Sequence, residues 1–197
     1  EGVDFKVPDK ENEQKCYFYA NQAKIDYLNN CDFYGVNLIL TENVGIISKC
    51  NFTNCRGLEL GNDNKEITIK LIEGCIFSNC YRSFEHASGA NEYWVTKMTG
   101  CTFYSNNEND KHINLVSGGY FKEVSDCKFY SKTELRTLQF RPNKCDVIKN
   151  CEFDNCYYAL QECEYDSIVN VKFNECVVAL LDVTVNDIYK CEFNNCD

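Results

Sequence analysis

A nine-residue pattern recurs eight times along this chain of 197 residues and constrains the fold more than any other feature. The pattern reads I-x-x-C-x-F-x-x-C, and its successive phenylalanines are 19 to 26 residues apart. The first cysteine position holds cysteine in seven copies and Val171 in the eighth. The eight phenylalanines are Phe33, Phe52, Phe77, Phe103, Phe129, Phe153, Phe173 and Phe193. A repeat of this kind indicates a stack of similar structural units.

The spacing inside the pattern predicts strands joined by tight corners. The C-x-F alternation has the two-residue period of a β-strand, whereas the step from the aliphatic position to the cysteine is three residues, so the chain must bend there. The residue before the cysteine position is Gly, Asn or Asp in six of eight copies, and these types tolerate positive φ. The eight are Asn30, Lys49, Gly74, Gly100, Asp126, Asn150, Asn170 and Lys190. A second corner is expected two residues after the phenylalanine, at Asn54, Asn79, Asn155, Asn195, Ser105 and Ser131, where stacked asparagines would share hydrogen bonds.

These features predict an all-β fold, a single-stranded right-handed parallel β-helix (solenoid) of about eight coils. Residues 1–20 break the pattern and are interpreted as an N-terminal cap or lead-in coil, and residues 21–197 as the β-helix. Because the last repeat ends at Cys196 without a polar capping coil, we expect the solenoid to continue beyond residue 197 in a longer protein. End-to-end self-association through that coil is also expected.

The composition excludes several classes of partner. The formal net charge is −10, which disfavours binding to nucleic acid phosphates and anionic lipid. No apolar run approaches the roughly 18 residues that span a bilayer, so membrane insertion of this segment is not expected. No cofactor is expected either.

The 15 cysteines allow three interpretations. As core thiols they would fill interior positions, as Val171 does in one copy. Disulfides between stacked coils would be strained, because strand spacing exceeds the usual Cβ separation, so Cys145 and Cys163, outside the repeat and assigned to loops, are the better disulfide candidates. Metal binding by the C-x4-C pairs leaves little room for an ion beside the phenylalanine, and no metal site is predicted.

The repeat resembles a known family. The segment Ile148-Lys-Asn-Cys-Glu-Phe-Asp-Asn-Cys156 looks like the right-handed β-helix repeats of the pectin-lyase-like superfamily, and its Phe-x-Asn-Cys part resembles polymorphic membrane protein repeats of surface adhesins. The resemblance implies the fold, but that superfamily includes lyases, hydrolases, adhesins and adaptors. The Asn-Thr-Asp, Asp-Asp, Gly-His-Gly and Arg-Ile-Lys strings of its hydrolases do not occur here, so no catalytic residue is predicted.

The strand after the second corner carries the best predicted binding face. An outward polar column is expected between inward apolar neighbours, with two arginines at its edge. The column is Glu59, Glu85, Asn114, Gln139 and Gln161, and the arginines are Arg136 and Arg141. Nearby tyrosines, Tyr104, Tyr130, Tyr157 and Tyr158, are candidates for stacking on sugar rings, the alternative being that they cover the outside of the rod. The alternative is an ordinary solvated sheet face.

These observations favour a non-catalytic extracellular or cell-surface module of adhesin type that binds a polysaccharide or protein along its long face. The alternatives are a polysaccharide lyase or glycoside hydrolase, and an intracellular β-helix adaptor. The sequon Asn51-Phe52-Thr53 makes Asn51 a possible glycosylation site on an outward strand position.

Overall fold

The computed structural model is a stack of parallel strands arranged in three sheets. It describes residues 4–6, 16–20, 24–55, 57–61, 66–86, 93–106, 113–132 and 138–196. Within these ranges the regular structure is entirely β. The chain visits the three sheets in turn and then returns to the first, one rung further along, so equivalent segments lie over one another.

The phenylalanine sheet contains the C-x-F segments. Its nine strands are β1 (Asp4–Lys6), β4 (Asp32–Tyr34), β7 (Asn51–Thr53), β10 (Ile76–Ser78), β14 (Thr102–Ser105), β17 (Lys128–Ser131), β20 (Glu152–Asp154), β23 (Lys172–Asn174) and β26 (Glu192–Asn194). Every neighbouring pair is parallel, and phenylalanine pairs with phenylalanine throughout, from Phe5 to Phe193.

The second sheet follows the second corner. Its eight strands are β2 (Cys16–Ala20), β5 (Val36–Leu40), β8 (Leu58–Leu60), β11 (Phe84–His86), β15 (Ile113–Ser117), β18 (Leu138–Arg141), β21 (Tyr158–Gln161) and β24 (Val178–Leu181). Its register shifts twice, between Asn114 and Val116 and between Gln139 and Phe140.

The third sheet closes each coil and leads back to the phenylalanine sheet. Its strands are β3 (Ile25–Asn29), β6 (Val44–Ser48), β9 (Ile67–Glu73), β12 (Tyr93–Val95), β13 (Met98–Thr99), β16 (Tyr120–Ser125), β19 (Lys144–Lys149), β22 (Glu164–Val169) and β25 (Thr184–Tyr189). Strands β12 and β13 share one rung, since both pair with β9 and β16.

The first corner has the predicted left-handed backbone in all eight copies. Asn30, Gly74 and Asp126 adopt φ of 53°, 59° and 55°, and the two lysines predicted less well, Lys49 and Lys190, adopt 52° and 54°. The two lysines adopt positive φ because the neighbouring coils of the stack fix the path of the backbone at this corner.

The second corner differs in part from the prediction. All four asparagines turn there, with φ between 52° and 54°, but Ser105 and Ser131 lie inside strands β14 and β17 and are buried. The predicted sharing of amide hydrogen bonds occurs at the first corner instead. There Asn170 Nδ2 donates to Asn150 Oδ1 at 3.0 Å, and Asn150 Nδ2 donates to Asp126 Oδ1 at 3.2 Å.

The interior contains one continuous stack of phenylalanine rings. Neighbouring ring centroids from Phe33 to Phe193 are 4.5 to 5.5 Å apart, and neighbouring planes differ by 13° at most. Two files of thiols flank the stack. Cys50 Sγ donates to the Leu28 carbonyl one coil below at 3.5 Å, and Cys55 Sγ donates to the Phe33 carbonyl at 3.4 Å. Each of these thiols thus fills a core position and bonds weakly to a strand carbonyl of the coil below.

The prediction of a parallel β-helix is confirmed. Strands β1 and β2, in the segment interpreted as a cap or lead-in coil, pair in parallel with β4 and β5. The right-handed sense remains the expectation for parallel crossover connections.

Candidate functional site

The polar residues predicted to form one column on the second sheet do not lie in a single register, and their role in binding stays a prediction. Glu59 pairs with Glu85, and Asn114 pairs with Gln139, but the two pairs do not join. Phe84, beside Glu85, pairs with Val116, which lies two residues beyond Asn114. The register shifts of this sheet break a straight file into short pieces.

The members of that column also differ in exposure. Gln139 and Gln161 were expected to face outward, yet each is only 8% exposed. Gln161 Nε2 donates to Glu162 Oε1 at 2.8 Å, and Arg141, which is exposed, forms an ion pair with Glu162. Arg136 lies outside the described residues. Among the described side chains of this face, Gln161, Glu162 and Arg141 therefore bond to one another.

The cysteines occupy interior positions. Every cysteine from Cys31 to Cys196 is a free thiol. The assignment to a loop is wrong for Cys145, which lies within β19, whereas Cys163 lies between β21 and β22 as predicted; both are buried. Burial, with a smaller contribution from Cys163, raises the pKa of Cys145. Across the described residues, no group of three His, Cys, Asp or Glu side chains is arranged to hold a metal ion.

An open concavity of about 420 Å³ lies instead on the outer face of the phenylalanine sheet. We call it the tyrosine notch. Its floor and walls come from strands β4, β7, β10 and β14. It is lined by Asp32, Phe33, Tyr34, Asn51, Thr53, Ile76, Ser78 and Tyr104.

The register of the sheet explains the shape of the notch. One outward file runs Tyr34, Thr53, Ser78 and Tyr104, so two small side chains separate two tyrosines. The tyrosine-bearing strands are three strand steps apart, about 14 Å at roughly 4.8 Å per step. The missing ring volume at Thr53 and Ser78 leaves the depression.

Hydrogen bonds and stacking hold the walls in place. Asn54 Nδ2 donates to the Tyr34 hydroxyl at 3.1 Å. Tyr104 stacks on Tyr130 with ring centroids 5.4 Å apart, and Lys132 Nζ lies 5.0 Å from the Tyr104 ring centroid. Both tyrosine walls are therefore fixed before any ligand arrives, which lowers the entropic cost of binding.

Asn51 and Asp32 form the polar edge of the notch. Asn51 is exposed, as the sequon predicted, and its Nδ2 donates to Asp32 Oδ1 at 2.6 Å. Ile76, which is 40% exposed, supplies the apolar part of the floor.

Sequence reasoning named Tyr104 and Tyr130 as sugar-stacking candidates but missed the notch. The signal was present, because counting one residue after each phenylalanine gives the file Tyr34, Thr53, Ser78, Tyr104 and Tyr130 directly. The other tyrosine pair, Tyr157 and Tyr158, has ring centroids 4.4 Å apart and planes tilted by 56°.

The last coil exposes apolar side chains. Ile188, Tyr189 and Phe193 are 47%, 60% and 49% exposed. End-to-end association through these residues stays a prediction. Within the described ranges there is no helix of the length and apolarity that a bilayer crossing requires.

Comparison with known proteins adds no relative. No protein-family model, no curated protein and no solved structure matches this chain. The fold is therefore established as a parallel β-helix without assignment to a family.

Proposed function

We propose that this chain is a non-catalytic, adhesin-like binding module of an extracellular or cell surface, and that the tyrosine notch binds sugar rings of a polysaccharide. The proposal includes a relationship between this chain and the pectin-lyase-like and adhesin repeats that its sequence resembles. The observation that carries it is the juxtaposition of two fixed tyrosine walls with hydrogen-bonding groups between them.

The chemistry of the notch suits a sugar. A pyranose ring has an apolar face that packs on an aromatic ring and equatorial hydroxyls that bond to polar side chains. Tyr34 and Tyr104 offer the rings, and Thr53, Asn51 and Asp32 offer donors and acceptors. The spacing of about 14 Å between the tyrosine-bearing strands accommodates two linked sugar rings.

The charge of the notch favours an uncharged glycan. Asp32 is the charged residue among the side chains that line it, and the whole chain carries a formal net charge of −10. A polysaccharide rich in carboxylate or sulfate would meet repulsion there.

The test is affinity electrophoresis against soluble neutral polysaccharides: β-glucan, xyloglucan, galactomannan and dextran. We expect retardation by at least one of them. Tyr34→Ala and Tyr104→Ala should each weaken binding about tenfold, since stacking of a ring on one aromatic side chain contributes roughly 1–3 kcal/mol. Ser78→Tyr should abolish it by filling the notch. The matched control is Tyr27→Ala, which removes a tyrosine that is 74% exposed on the third sheet.

Two outcomes oppose the proposal. If none of the four polysaccharides retards the protein, or if Tyr27→Ala weakens binding as much as Tyr34→Ala, the notch is not the site. New reducing ends or unsaturated products after incubation would instead identify a glycoside hydrolase or polysaccharide lyase and overturn the non-catalytic assignment.

A second candidate, the intracellular adaptor, is favoured by one observation. Every thiol from Cys31 to Cys196 is free, as in proteins of reducing compartments. Alkylation of the protein isolated from its source without reductant, followed by mass spectrometry, separates the two. Disulfides in the native protein would favour the cell surface, whereas full alkylation after unfolding would favour the adaptor.

A further inference from the structure

A second aromatic platform lies on a different face of the rod. Trp94 lies in β12 between two buried neighbours, Tyr93 and Val95, so its side chain points outward from the third sheet, and it is 42% exposed. Its ring stacks on Tyr120 of the next coil with centroids 4.5 Å apart and an angle of 16° between planes. Large exposed aromatic pairs of this kind are uncommon on a surface that has no partner.

One face of the Trp94 ring remains accessible. Trp94 pairs with Tyr120 on one side and with Thr68 on the other. Tyr120 covers the first face, whereas Thr68 is too small to cover the second. The Thr68 backbone N–H is bonded to Asn43 Oδ1 at 2.8 Å, which places a polar amide next to the open face.

Two lysines lie in one file along one side of this platform. Because Ile69, Val95 and Phe121 are in register, the residues that follow them, Lys70, Thr96 and Lys122, form the adjacent outward file. Lys70 and Lys122 are exposed and lie diagonally from Trp94, within reach of a group placed on its ring. This is a local concentration of positive charge on a chain whose formal net charge is −10.

The acidic side chains nearby either form ion pairs with other lysines or lie away from Lys70 and Lys122 along the strands. Asp146 pairs with Lys144 at 3.6 Å, and Glu123 pairs with Lys97 at 3.0 Å. Glu66 precedes Thr68 by two residues and lies on the opposite side of Trp94 from the lysine file.

We propose that Trp94 and its flanking lysines form a second saccharide site that takes a sugar ring bearing an anionic group, sulfate or carboxylate. The ring packs on the open face of Trp94, and the anion lies between Lys70 and Lys122. This site differs from the tyrosine notch in sheet, in residues and in charge preference, so it does not depend on the notch binding anything.

A protein partner fits this patch less well. A stable protein interface buries about 800 Å² on each side around an apolar core. Here the apolar surface consists of two rings surrounded by Thr68, Thr96 and the lysines. One sugar ring matches that footprint, and the positive rim selects an acidic one.

The sequence provides a specific reporter, because Trp94 is the only tryptophan in the chain. We propose titrating the intact protein with dextran sulfate and with uncharged dextran while following tryptophan emission. Dextran sulfate should shift or quench the emission saturably, and dextran should not. Carboxymethyl dextran distinguishes carboxylate from sulfate as the preferred anion.

Variants test the assigned roles. Lys70→Gln and Lys122→Gln should each weaken dextran sulfate binding threefold to tenfold. Trp94→Ala should weaken it at least tenfold, measured by sedimentation because this variant lacks the tryptophan reporter. The matched control is Lys190→Gln, which removes a lysine lying 5.1 Å from the ring of another exposed aromatic, Tyr189, and should change nothing.

Two results would overturn this site. Poly(vinyl sulfate), which has the charge but no sugar ring, should bind much more weakly than dextran sulfate. Equal binding of the two polymers would show that the site attracts charge without recognising a sugar ring. An unchanged emission at saturating dextran sulfate would also exclude it. Tyr34→Ala should leave the tryptophan titration unaltered, so failure of the notch and failure of this site are distinguishable.

Discussion

The outer face of the phenylalanine sheet behaves differently in its two halves, although the same ring stack lies beneath both. Over β17, β20, β23 and β26 the outward side chains pair with one another: Lys128 with Glu152 at 3.7 Å, Lys172 with Glu192 at 3.4 Å, and Asn194 with Asn174 at 2.9 Å. Over β4, β7, β10 and β14 two small residues separate two tyrosines, and the tyrosine notch results. A β-helix thus fixes its interior by repetition and leaves each exterior file to vary independently.

The charges of the outward side chains also differ between the two halves. In the self-paired half, burial and then the neighbouring Glu152 and Glu175 raise the pKa of Asp154, which occupies the file position held by Tyr104 two coils earlier. Asp154 is therefore repelled by like charges, whereas Lys128 and Lys172 are paired with glutamates on either side of it. In the notch half the equivalent file positions are Tyr34, Thr53, Ser78 and Tyr104, none of which carries a charge.

The largest expected effect tests whether the two halves share one core. Phe129 is fully buried and stacks between Phe103 of the notch half, at 4.9 Å, and Phe153 of the self-paired half, at 4.5 Å. Its ring therefore joins the cores of the two halves. Phe129→Asp should abolish cooperative folding, since truncating a core phenylalanine costs about 3–5 kcal/mol and burying a charge adds to that. Thermal unfolding followed by circular dichroism measures it.

The control for this change is Phe193→Asp, at a position that is 49% exposed, which should lower the melting temperature by a few degrees only. A cooperative melt of Phe129→Asp at the original temperature would contradict the stacked core. Separate melting of the halves would show that they fold independently.

A pair of glycines tests the close backbone packing between neighbouring coils at their corners. At Gly57, with φ of 126°, an added Cβ would lie 1.7 Å from the Arg82 carbonyl oxygen, so Gly57→Ala should cost roughly 3 kcal/mol or more. At Gly100, with φ of 62°, the nearest atom is 3.9 Å away, so Gly100→Ala should cost only about 1 kcal/mol. Urea unfolding of both variants gives the difference, and equal costs would refute the predicted contact.

Alkaline pH tests the thiol file that passes beneath both halves. A hydrogen bond with the Cys101 thiol, together with burial, raises the pKa of Cys75 from 9.0 to about 12. Above pH 9 the unfolded thiol loses its proton while the folded one keeps it, so stability should fall as pH rises from about 9 towards 12. The slope is about 1.4 kcal/mol per pH unit for each such thiol.

The matched variant is Cys75→Val, since valine already fills the equivalent position at Val171. It should remove about 1 kcal/mol of the decline between pH 9 and 10, because a thiol of pKa 9.0 is only half deprotonated at the start of that interval. Urea unfolding at pH 7, 9 and 10 measures both proteins. Identical slopes would show that Cys75 titrates normally in the folded state.

The interior of this fold could be predicted from sequence because every coil imposes the same requirement on it. Phe52 and Phe77 occupy equivalent positions, and the spacing of the pattern fixes both their register and their inward direction. The corners were predicted where Asn or Gly stands and less well at Lys49, whose residue type has no preference for positive φ.

The exterior was harder to predict because it depends on which side chains become neighbours. Gln139 was placed in a column with Gln161, yet it pairs with Tyr158, because irregular register in the second sheet is invisible in the sequence pattern. The notch depends on Thr53 and Ser78 lying between two tyrosines, a relation between coils that no single repeat contains.

The smallest expected effect concerns the charged ladder that distinguishes the second half. Lys128 and Glu152 are 65% and 40% exposed and their charged atoms are 3.7 Å apart, a geometry in which solvent screens most of the attraction. A double-mutant cycle with Lys128→Ala and Glu152→Ala should give a coupling of only about 0.2–1 kcal/mol, falling in high salt. The pairing would then govern what the surface binds much more than how stably the coils stack. A coupling above about 2 kcal/mol would reverse that conclusion, since the ladder would then help to hold its half of the rod together.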